Sequence, residues 1–160
     1  DEREGLLAYD QGSDGVRGGV LACANRSNNN PLVETSKELE YVHMDGQEVY
    51  KFAVTAVPAS LHKVIEAAGL TVEEIDYFAL HQANIRILQS VAKRLKVTED
   101  KFPISLDHCG NISAASVPIL LDEQGSAETG NESCVIRIWR RADMGIRGNR
   151  VVTEATFKTI

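Results

Sequence analysis

The feature that most constrains the fold is a four-residue corner, His81-Gln82-Ala83-Asn84, which joins two segments of different hydrophobic pattern. The apolar run at 75–80 has the length of a buried strand, whereas residues 85–95 carry apolar side chains at helical spacing. A strand that turns directly into a helix is typical of α/β folds. The corner therefore predicts that His81 lies at the carboxyl end of a strand, where α/β sheets bind their ligands.

Composition limits the class of protein. The chain has 160 residues and 43% hydrophobic content, enough for one domain with a core. Its formal net charge of -6 does not indicate the basic surface that nucleic-acid binding requires. No apolar run approaches the length of a membrane span, and the acidic start at 1–4 is unlike a signal peptide. We therefore expect a cytoplasmic protein with neither a membrane nor a nucleic-acid partner.

The three cysteines form no CxxC pair and no regular spacing. Disulfide frameworks and structural zinc sites usually show such spacing. The sequence therefore predicts neither a disulfide nor a metal site.

A long helix is predicted before the corner, at 48–68, because apolar residues recur there at helical spacing. Pro58 lacks an N–H group and crowds the preceding turn, so it should kink or restart this helix. Gly69 should end it in a left-handed conformation.

A second corner of the same kind is predicted around Asn111. Residues 102–106 are predicted to form a strand, and Ser113 is predicted to cap a helix at 114–123. In a parallel sheet the two corners would project from one edge and bring His81 near Asn111. A lone histidine after a strand is more often a structural hydrogen-bonding residue than a catalytic one. The pattern alone therefore predicts an α/β domain with a candidate histidine and asparagine site.

The helix after His81 also carries a basic face. Arg86, Lys93 and Arg94 lie opposite its apolar stripe, and Lys96 follows just beyond. On an acidic molecule such a face is more often simply solvated than a binding surface.

Two motifs closely resemble the signature loops of β-ketoacyl-acyl carrier protein synthase III: His81-Gln82-Ala83-Asn84-Ile85-Arg86-Ile87 and Gly110-Asn111-Ile112-Ser113-Ala114-Ala115-Ser116-Val117-Pro118. The segment at 44–54 is similar to the one that precedes them in that family. The resemblance implies the C-terminal half of a thiolase-like α/β fold, with helices packed on a mixed sheet. The last hairpin of that fold is expected to be lost or replaced by an irregular tail.

The resemblance also implies an activity, the decarboxylative condensation of a short acyl-coenzyme A primer with malonyl-acyl carrier protein in fatty acid synthesis. His81 and Asn111 would donate hydrogen bonds to the malonyl thioester oxygen as enolate charge develops on it. Gln82, Asn84 and Arg86 would contact acyl carrier protein. The resemblance implies a coenzyme A thioester as substrate, no cofactor, and a homodimer for the full-length family.

The chain departs from the family in two respects. None of Cys23, Cys109 and Cys134 stands in the context of the family's catalytic cysteine, and the glycine-rich motif that closes the family is missing. We therefore divide the chain into a condensing-enzyme domain at 1–124 and a divergent tail at 125–160, and we expect the isolated chain to be inactive. The alternative is a non-catalytic remnant that binds only acyl carrier protein or a partner half.

The tail carries a trace of the missing motif. Residues 139–145 can be encoded so that a reading frame one nucleotide later gives Gly-Gly-Gly-Leu-Thr-Trp-Gly. Trp139 and Met144 have single codons, which force the first glycine and the tryptophan of that shifted reading. The sequence therefore predicts that the tail is an out-of-frame translation, in which only 151–157 has the composition of a strand.

Overall fold

The computed structural model describes residues 7–22 and 41–124, together with the backbone of three strands at 132–136, 150–153 and 155–157. The helices are α1 (Gly46–Ala68), α2 (Ile85–Leu95), α3 (Leu106–Cys109) and α4 (Ser116–Glu123). The strands are β1 (Asp10–Gly12), β2 (Leu21–Ala22), β3 (His43–Met44), β4 (Tyr77–Leu80), β5 (Glu132–Ile136), β6 (Arg150–Thr153) and β7 (Ala155–Phe157). Within these ranges no helix combines the length and the apolar character that crossing a bilayer requires.

The strands form three small sheets. The central sheet has the order β4-β5-β6, and both of its pairings are parallel. β1 pairs with β7 in parallel, and β2 pairs with β3 in the antiparallel sense. The mixed α/β architecture predicted from the sequence is confirmed.

The main hydrophobic core is shared by α1, α2 and β4. Phe78 of β4 is fully buried, and its ring stacks on that of Phe102 with the centroids 4.9 Å apart. A hydrogen bond of 2.8 Å between the hydroxyl groups of Tyr50 and Ser90 joins α1 to α2. The helix predicted at 85–95 is confirmed, although its first residue, Ile85, is 36% exposed and lies outside the buried stripe.

α1 is one continuous helix. It begins at the N-cap residue Asp45, whose carboxylate accepts the N–H groups of Gln47 and Glu48. It ends as predicted at Gly69, which has a φ of 76°. The predicted restart at Pro58 is wrong. A proline inside a helix costs about 3 kcal/mol, but here the buried side chains on both sides of Pro58 hold the two halves of the helix against the same core.

The strand predicted at 102–106 is also wrong. The described residues place no strand there, and the first turn of α3 begins at its last residue. The side-chain amide of Gln82 takes the place of a strand partner, because it donates to the carbonyl of Pro103 at 3.4 Å and accepts the N–H of Ser105 at 3.2 Å. Pro103 itself has no N–H group to give to a sheet.

The tail forms more regular structure than was expected. β6 and β7 occupy the range 151–157 in which a strand was predicted, apart from residue 154, which lies outside the described residues. β5 and β6 are parallel neighbours, so they are not the two strands of a hairpin. The predicted loss of the closing hairpin therefore agrees with these pairings.

Candidate functional site

His81 stands where the sequence placed it, directly after the carboxyl end of β4. The last three residues of that strand, Phe78–Leu80, are buried, which fixes the direction in which the chain leaves the sheet. Asn84 then caps α2, because its side-chain oxygen accepts the N–H of Arg86 at 2.9 Å. A side-chain cap stabilises a helix by about 1 kcal/mol. The corner is therefore held at both ends.

Gln82 holds the corner from inside and is not part of the surface. Its side chain is completely buried and donates to the carbonyl of Leu80 at 3.0 Å, in addition to its contacts with Pro103 and Ser105. The sequence assigned Gln82 to carrier-protein binding. That assignment is wrong in this structure, because a fully buried amide cannot contact a docking protein.

The ring of His81 is hydrogen-bonded to Ser116. The Nδ1 atom of His81 lies 2.6 Å from the hydroxyl oxygen of Ser116, which is buried at the start of α4. The same oxygen accepts the N–H of Gln82 at 3.3 Å. This contact leaves Nε2 as the ring nitrogen that remains for a substrate.

The Ser116 hydroxyl has one proton and two acceptors within reach. It donates to the carbonyl of Ser113 at 2.9 Å, in which case Nδ1 of His81 must carry the ring proton. If the hydroxyl instead donates to Nδ1, the ring proton moves to Nε2. The orientation of one hydroxyl group thus decides whether Nε2 donates or accepts a hydrogen bond.

Burial favours the neutral form of His81. It lowers the pKa of the ring below the usual value, because the charged form loses its hydration, and a hydrogen bond to the backbone at Ser113 acts in the opposite direction. A neutral imidazole has only one N–H group. The orientation of the Ser116 hydroxyl group therefore selects the tautomer of His81, and with it whether Nε2 donates or accepts a hydrogen bond.

Asn111 lies in the loop between α3 and α4 and is exposed. Its side-chain oxygen accepts the N–H of Ser113 at 3.1 Å, which leaves the amide nitrogen free to donate outward. Ser113 was predicted to cap the following helix, but it has a φ of 54° and opens a short 3₁₀ turn, and α4 begins only at Ser116. This φ places Ser113 in the left-handed region, which residues other than glycine seldom adopt.

A continuous set of hydrogen bonds joins the two predicted site residues. It runs from the Asn111 side chain to the backbone of Ser113, then to the Ser116 hydroxyl and the His81 ring. Sequence reasoning selected His81 and Asn111 but missed Ser116. The only available signal was the spacing of three residues between Ser113 and Ser116, which lets a serine hydroxyl bond the carbonyl one turn earlier.

A shallow groove of about 690 Å³ lies between α2, the segment at 97–99 that follows it, and α1. Arg86 and Lys93 line it, together with Tyr50 from α1. Arg94 and Lys96 are exposed but are not among the residues that line the groove. The predicted basic face is therefore divided into a part beside the groove and a part away from it.

A parallel strand that ends in the His81 corner, with the Asn111 loop hydrogen-bonded to it, is the arrangement expected for the second half of a thiolase-like fold. Comparison with known proteins agrees. Residues 65–133 match the family described as 3-oxoacyl-[acyl-carrier-protein (ACP)] synthase III C terminal. The β-ketoacyl-[acyl-carrier-protein] synthase III of Clostridium novyi is 50% identical over 123 residues, which cover 76% of this chain and 38% of that protein.

Solved structures give the same result. The 3-oxoacyl-(acyl carrier protein) synthase III of Pseudomonas aeruginosa superposes with a TM-score of 0.69 at 32% identity, covering 82% of this chain and 40% of that one. The corresponding Aquifex aeolicus enzyme superposes with a TM-score of 0.66 at 30% identity and the same coverage. The chain belongs to the β-ketoacyl-acyl carrier protein synthase III family and corresponds to its C-terminal half. It spans well under half the length of these relatives.

Proposed function

We propose that this chain supplies the histidine and asparagine half of a site that condenses a short acyl group with malonyl-acyl carrier protein. The observation that carries the proposal is the 2.6 Å contact between His81 and Ser116, because it holds the loop of Asn111 against the end of β4. Membership of the synthase III family supports the same assignment.

In the proposed reaction a cysteine thioester, contributed from outside this chain's site residues, carries the acyl group. The malonyl thioester loses carbon dioxide, and the electron pair of the broken bond forms an enolate whose carbon attacks the acyl carbonyl. The cysteine thiolate leaves, and the β-ketoacyl product remains on the carrier protein. Negative charge develops on the malonyl thioester oxygen before the attack, and two fixed donors at this oxygen lower the barrier.

His81 and Asn111 are the two proposed donors. The Asn111 amide nitrogen donates directly, because its side-chain oxygen is already engaged with Ser113. Nε2 of His81 donates when the Ser116 hydroxyl turns from the Ser113 carbonyl to Nδ1. The lowered pKa of His81 keeps the ring neutral, so this rotation and not protonation supplies the N–H group. Ser116 is thus proposed as a positioning residue for His81.

We infer that acyl carrier protein docks at the groove beside Arg86. Arg86 and Lys93 present two positive charges there against the one carboxylate of Glu99, and Asn84, the exposed N-cap residue of the same helix, lies two residues before Arg86. Opposite charges steer an acidic partner toward such a surface. Gln82, being buried, is left out of the proposed docking surface.

The docking proposal is tested by a matched pair of charge reversals. Arg86→Glu should weaken carrier-protein binding by about 1–3 kcal/mol at low salt, and the loss should shrink at high salt because exposed charges are screened. Arg94→Glu makes the same change in net charge away from the groove and should have a much smaller effect. Equal losses of affinity in the two variants would show that net charge, and not the groove at Arg86, determines carrier-protein binding.

The catalytic proposal is tested in a chimera. Residues 41–124 of this chain replace their counterpart in the Clostridium novyi synthase, which supplies the remaining parts of the site. The chimera should condense acetyl-coenzyme A with malonyl-acyl carrier protein, whereas the isolated chain should become neither acylated nor active. A folded chimera without turnover would favour the alternative, a remnant that only binds carrier protein or a partner half.

That alternative has one observation in its favour. The family match ends at residue 133, and the described tail strands β5 and β6 are parallel neighbours, with β5 also parallel to β4. We propose that residues 125–160 form a separate, out-of-frame tail following the condensing-enzyme domain at 1–124. Sequencing the gene tests this directly, because an intact shifted frame encoding the glycine-rich motif should be present there.

We infer the setting of the reaction from the same family. The substrates would be coenzyme A and carrier-protein thioesters, used in the cytoplasm without a cofactor. The complete enzyme would be a homodimer, and cross-linking of the chimera measures whether it is.

A further inference from the structure

A second cluster of polar side chains lies where the end of α3 meets the end of α4. His108 and Cys109 are the last two residues of α3, and Glu123 is the last residue of α4. One ligand atom from each of the three side chains lies within 4.8 Å of the other two. His108 and Glu123 are exposed and Cys109 is partly buried, so an ion could reach the cluster from solvent.

A fourth residue orients the histidine of this cluster. Nδ1 of His108 lies 2.7 Å from a carboxylate oxygen of Asp107, while Nε2 lies 2.6 Å from a carboxylate oxygen of Glu123. Histidine ligands of metals almost always donate their second N–H group to a carboxylate or carbonyl, which fixes the tautomer and strengthens the ligand. Asp107 stands in that relation to His108 and leaves Nε2 directed at the cluster.

We propose that Nε2 of His108, the thiolate of Cys109 and a carboxylate oxygen of Glu123 bind a zinc ion. Nitrogen, sulfur and oxygen ligands together suit zinc, and three protein ligands leave a fourth position for water. Magnesium and calcium prefer sites made only of oxygen atoms. On binding, zinc displaces the thiol proton of Cys109 and the proton held between His108 and Glu123, and both protons pass to solvent.

The cluster needs only small adjustments to hold zinc. Ligand atoms around a tetrahedral zinc ion lie about 3.3–3.8 Å apart, given bonds of about 2.0–2.3 Å. The contact between His108 and Glu123 must therefore open slightly, and the atoms nearer the 4.8 Å limit must approach. Exposed side chains make such changes by rotating between low-energy conformations.

The position of the cluster suggests what the ion would do. The loop at 110–115, which carries Asn111, leaves the end of α3 and enters the start of α4, and Glu123 lies at the far end of α4. A zinc ion bound to both helices would close the segment 109–123, loop and helix together, into a ring and restrict the motion of the loop. This inference does not depend on the proposed condensation reaction, since it concerns binding by the chain alone.

The spacing of these residues in the sequence does not indicate a metal site. His108 and Cys109 are adjacent, and Glu123 lies far along the chain, so no CxxC or similar pattern appears. The fold brings them together by returning α4 past the end of α3.

The test is a titration of the purified 160-residue chain with zinc chloride and with cobalt chloride. We expect one zinc ion per chain, an increase in Tm with zinc, and a cobalt–thiolate absorption band near the ultraviolet. Magnesium chloride should produce none of these changes. Absence of stoichiometric zinc binding would overturn the proposal.

Variants assign the ligands. Cys109→Ser should abolish the cobalt–thiolate band, Glu123→Gln should weaken zinc binding at least about tenfold, and Asp107→Asn should weaken it by about 10–100-fold. His62→Gln, a change at an exposed histidine of α1, and Cys134→Ser are the controls and should leave binding unchanged. Circular dichroism checks that each variant is folded. A cobalt–thiolate band that survives Cys109→Ser or is lost in Cys134→Ser would contradict the assignment.

Discussion

The two corners of the site were predicted to be alike, but they are built differently. The His81 corner joins a buried strand to a capped helix, and the side chain of Gln82 fills its interior. The Asn111 corner joins two short helices through an exposed loop with a left-handed residue at Ser113. The first corner is held by the core, whereas the second is held by a few polar contacts to the first. The position of the Asn111 loop therefore depends on its hydrogen bonds to the His81 corner, which is itself fixed by the core.

The largest expected effect on stability comes from the buried amide that joins the corners. Gln82→Leu keeps a similar volume but leaves backbone groups of Leu80, Pro103 and Ser105 without their partner. Unsatisfied buried groups cost about 1–3 kcal/mol each, so the loss of partners for three of them should lower the free energy of unfolding by about 3 kcal/mol or more. Urea denaturation measures this change. Gln89→Leu on the exposed face of α2 is the control and should change stability by less than about 0.5 kcal/mol.

This difference explains why the sequence predicted the elements around His81 but not those around Asn111. The elements around His81 follow from hydrophobic period and capping, which are local properties of 75–95. The elements around Asn111 do not, because the segment at 102–105 satisfies backbone groups through the side chain of Gln82, which lies 21 residues before Pro103 and 23 before Ser105. Such a long-range side-chain contact leaves no periodic signal, so the segment was predicted as a strand. The role of Ser116 was not predicted either, because its contact with His81 joins residues that are far apart in the sequence.

The next effect concerns the contact between the corners. Ser116→Ala removes a partner from the His81 ring and from the N–H of Gln82. We expect condensation by the chimera to fall about tenfold or more, and stability to fall by about 1–2 kcal/mol. Ser113→Ala, a change at an exposed serine of the same loop, is the control for both measurements. A Ser116→Ala chimera with full activity would show that this hydroxyl does not position His81.

The dependence of stability on pH should report the burial of His81. Its pKa in the folded chain lies below the ordinary value of 6.5, so the unfolded chain binds more protons as the pH falls below 6.5. The free energy of unfolding should therefore decrease with falling pH between 6.5 and the folded pKa, with a slope of at most about 1.4 kcal/mol per pH unit. Urea denaturation of wild type and His81→Asn over this range isolates the contribution of this ring. Parallel curves for the two proteins would show that His81 is not desolvated.

The smallest expected effect comes from Asn84, the last residue of the His81 corner. Asn84→Ala removes the side-chain cap of α2 and should destabilise the chain by about 1 kcal/mol. Asn84→Asp keeps an acceptor for the N–H of Arg86 and should retain most of the stability. Thermal unfolding compares the three proteins. If alanine and aspartate destabilise equally, the cap contributes nothing to this corner.

The most direct test of the central claim, that the two corners form one site, is a double-mutant cycle in the chimera. His81→Ala and Asn111→Ala should each reduce kcat/KM for condensation by about 10²–10³-fold, the usual result of removing one donor to a developing oxyanion. Because both donors act on the same thioester oxygen, the double variant should lose clearly less than the product of the two single losses. Strictly multiplicative losses would contradict the account, since they would mean that His81 and Asn111 act independently.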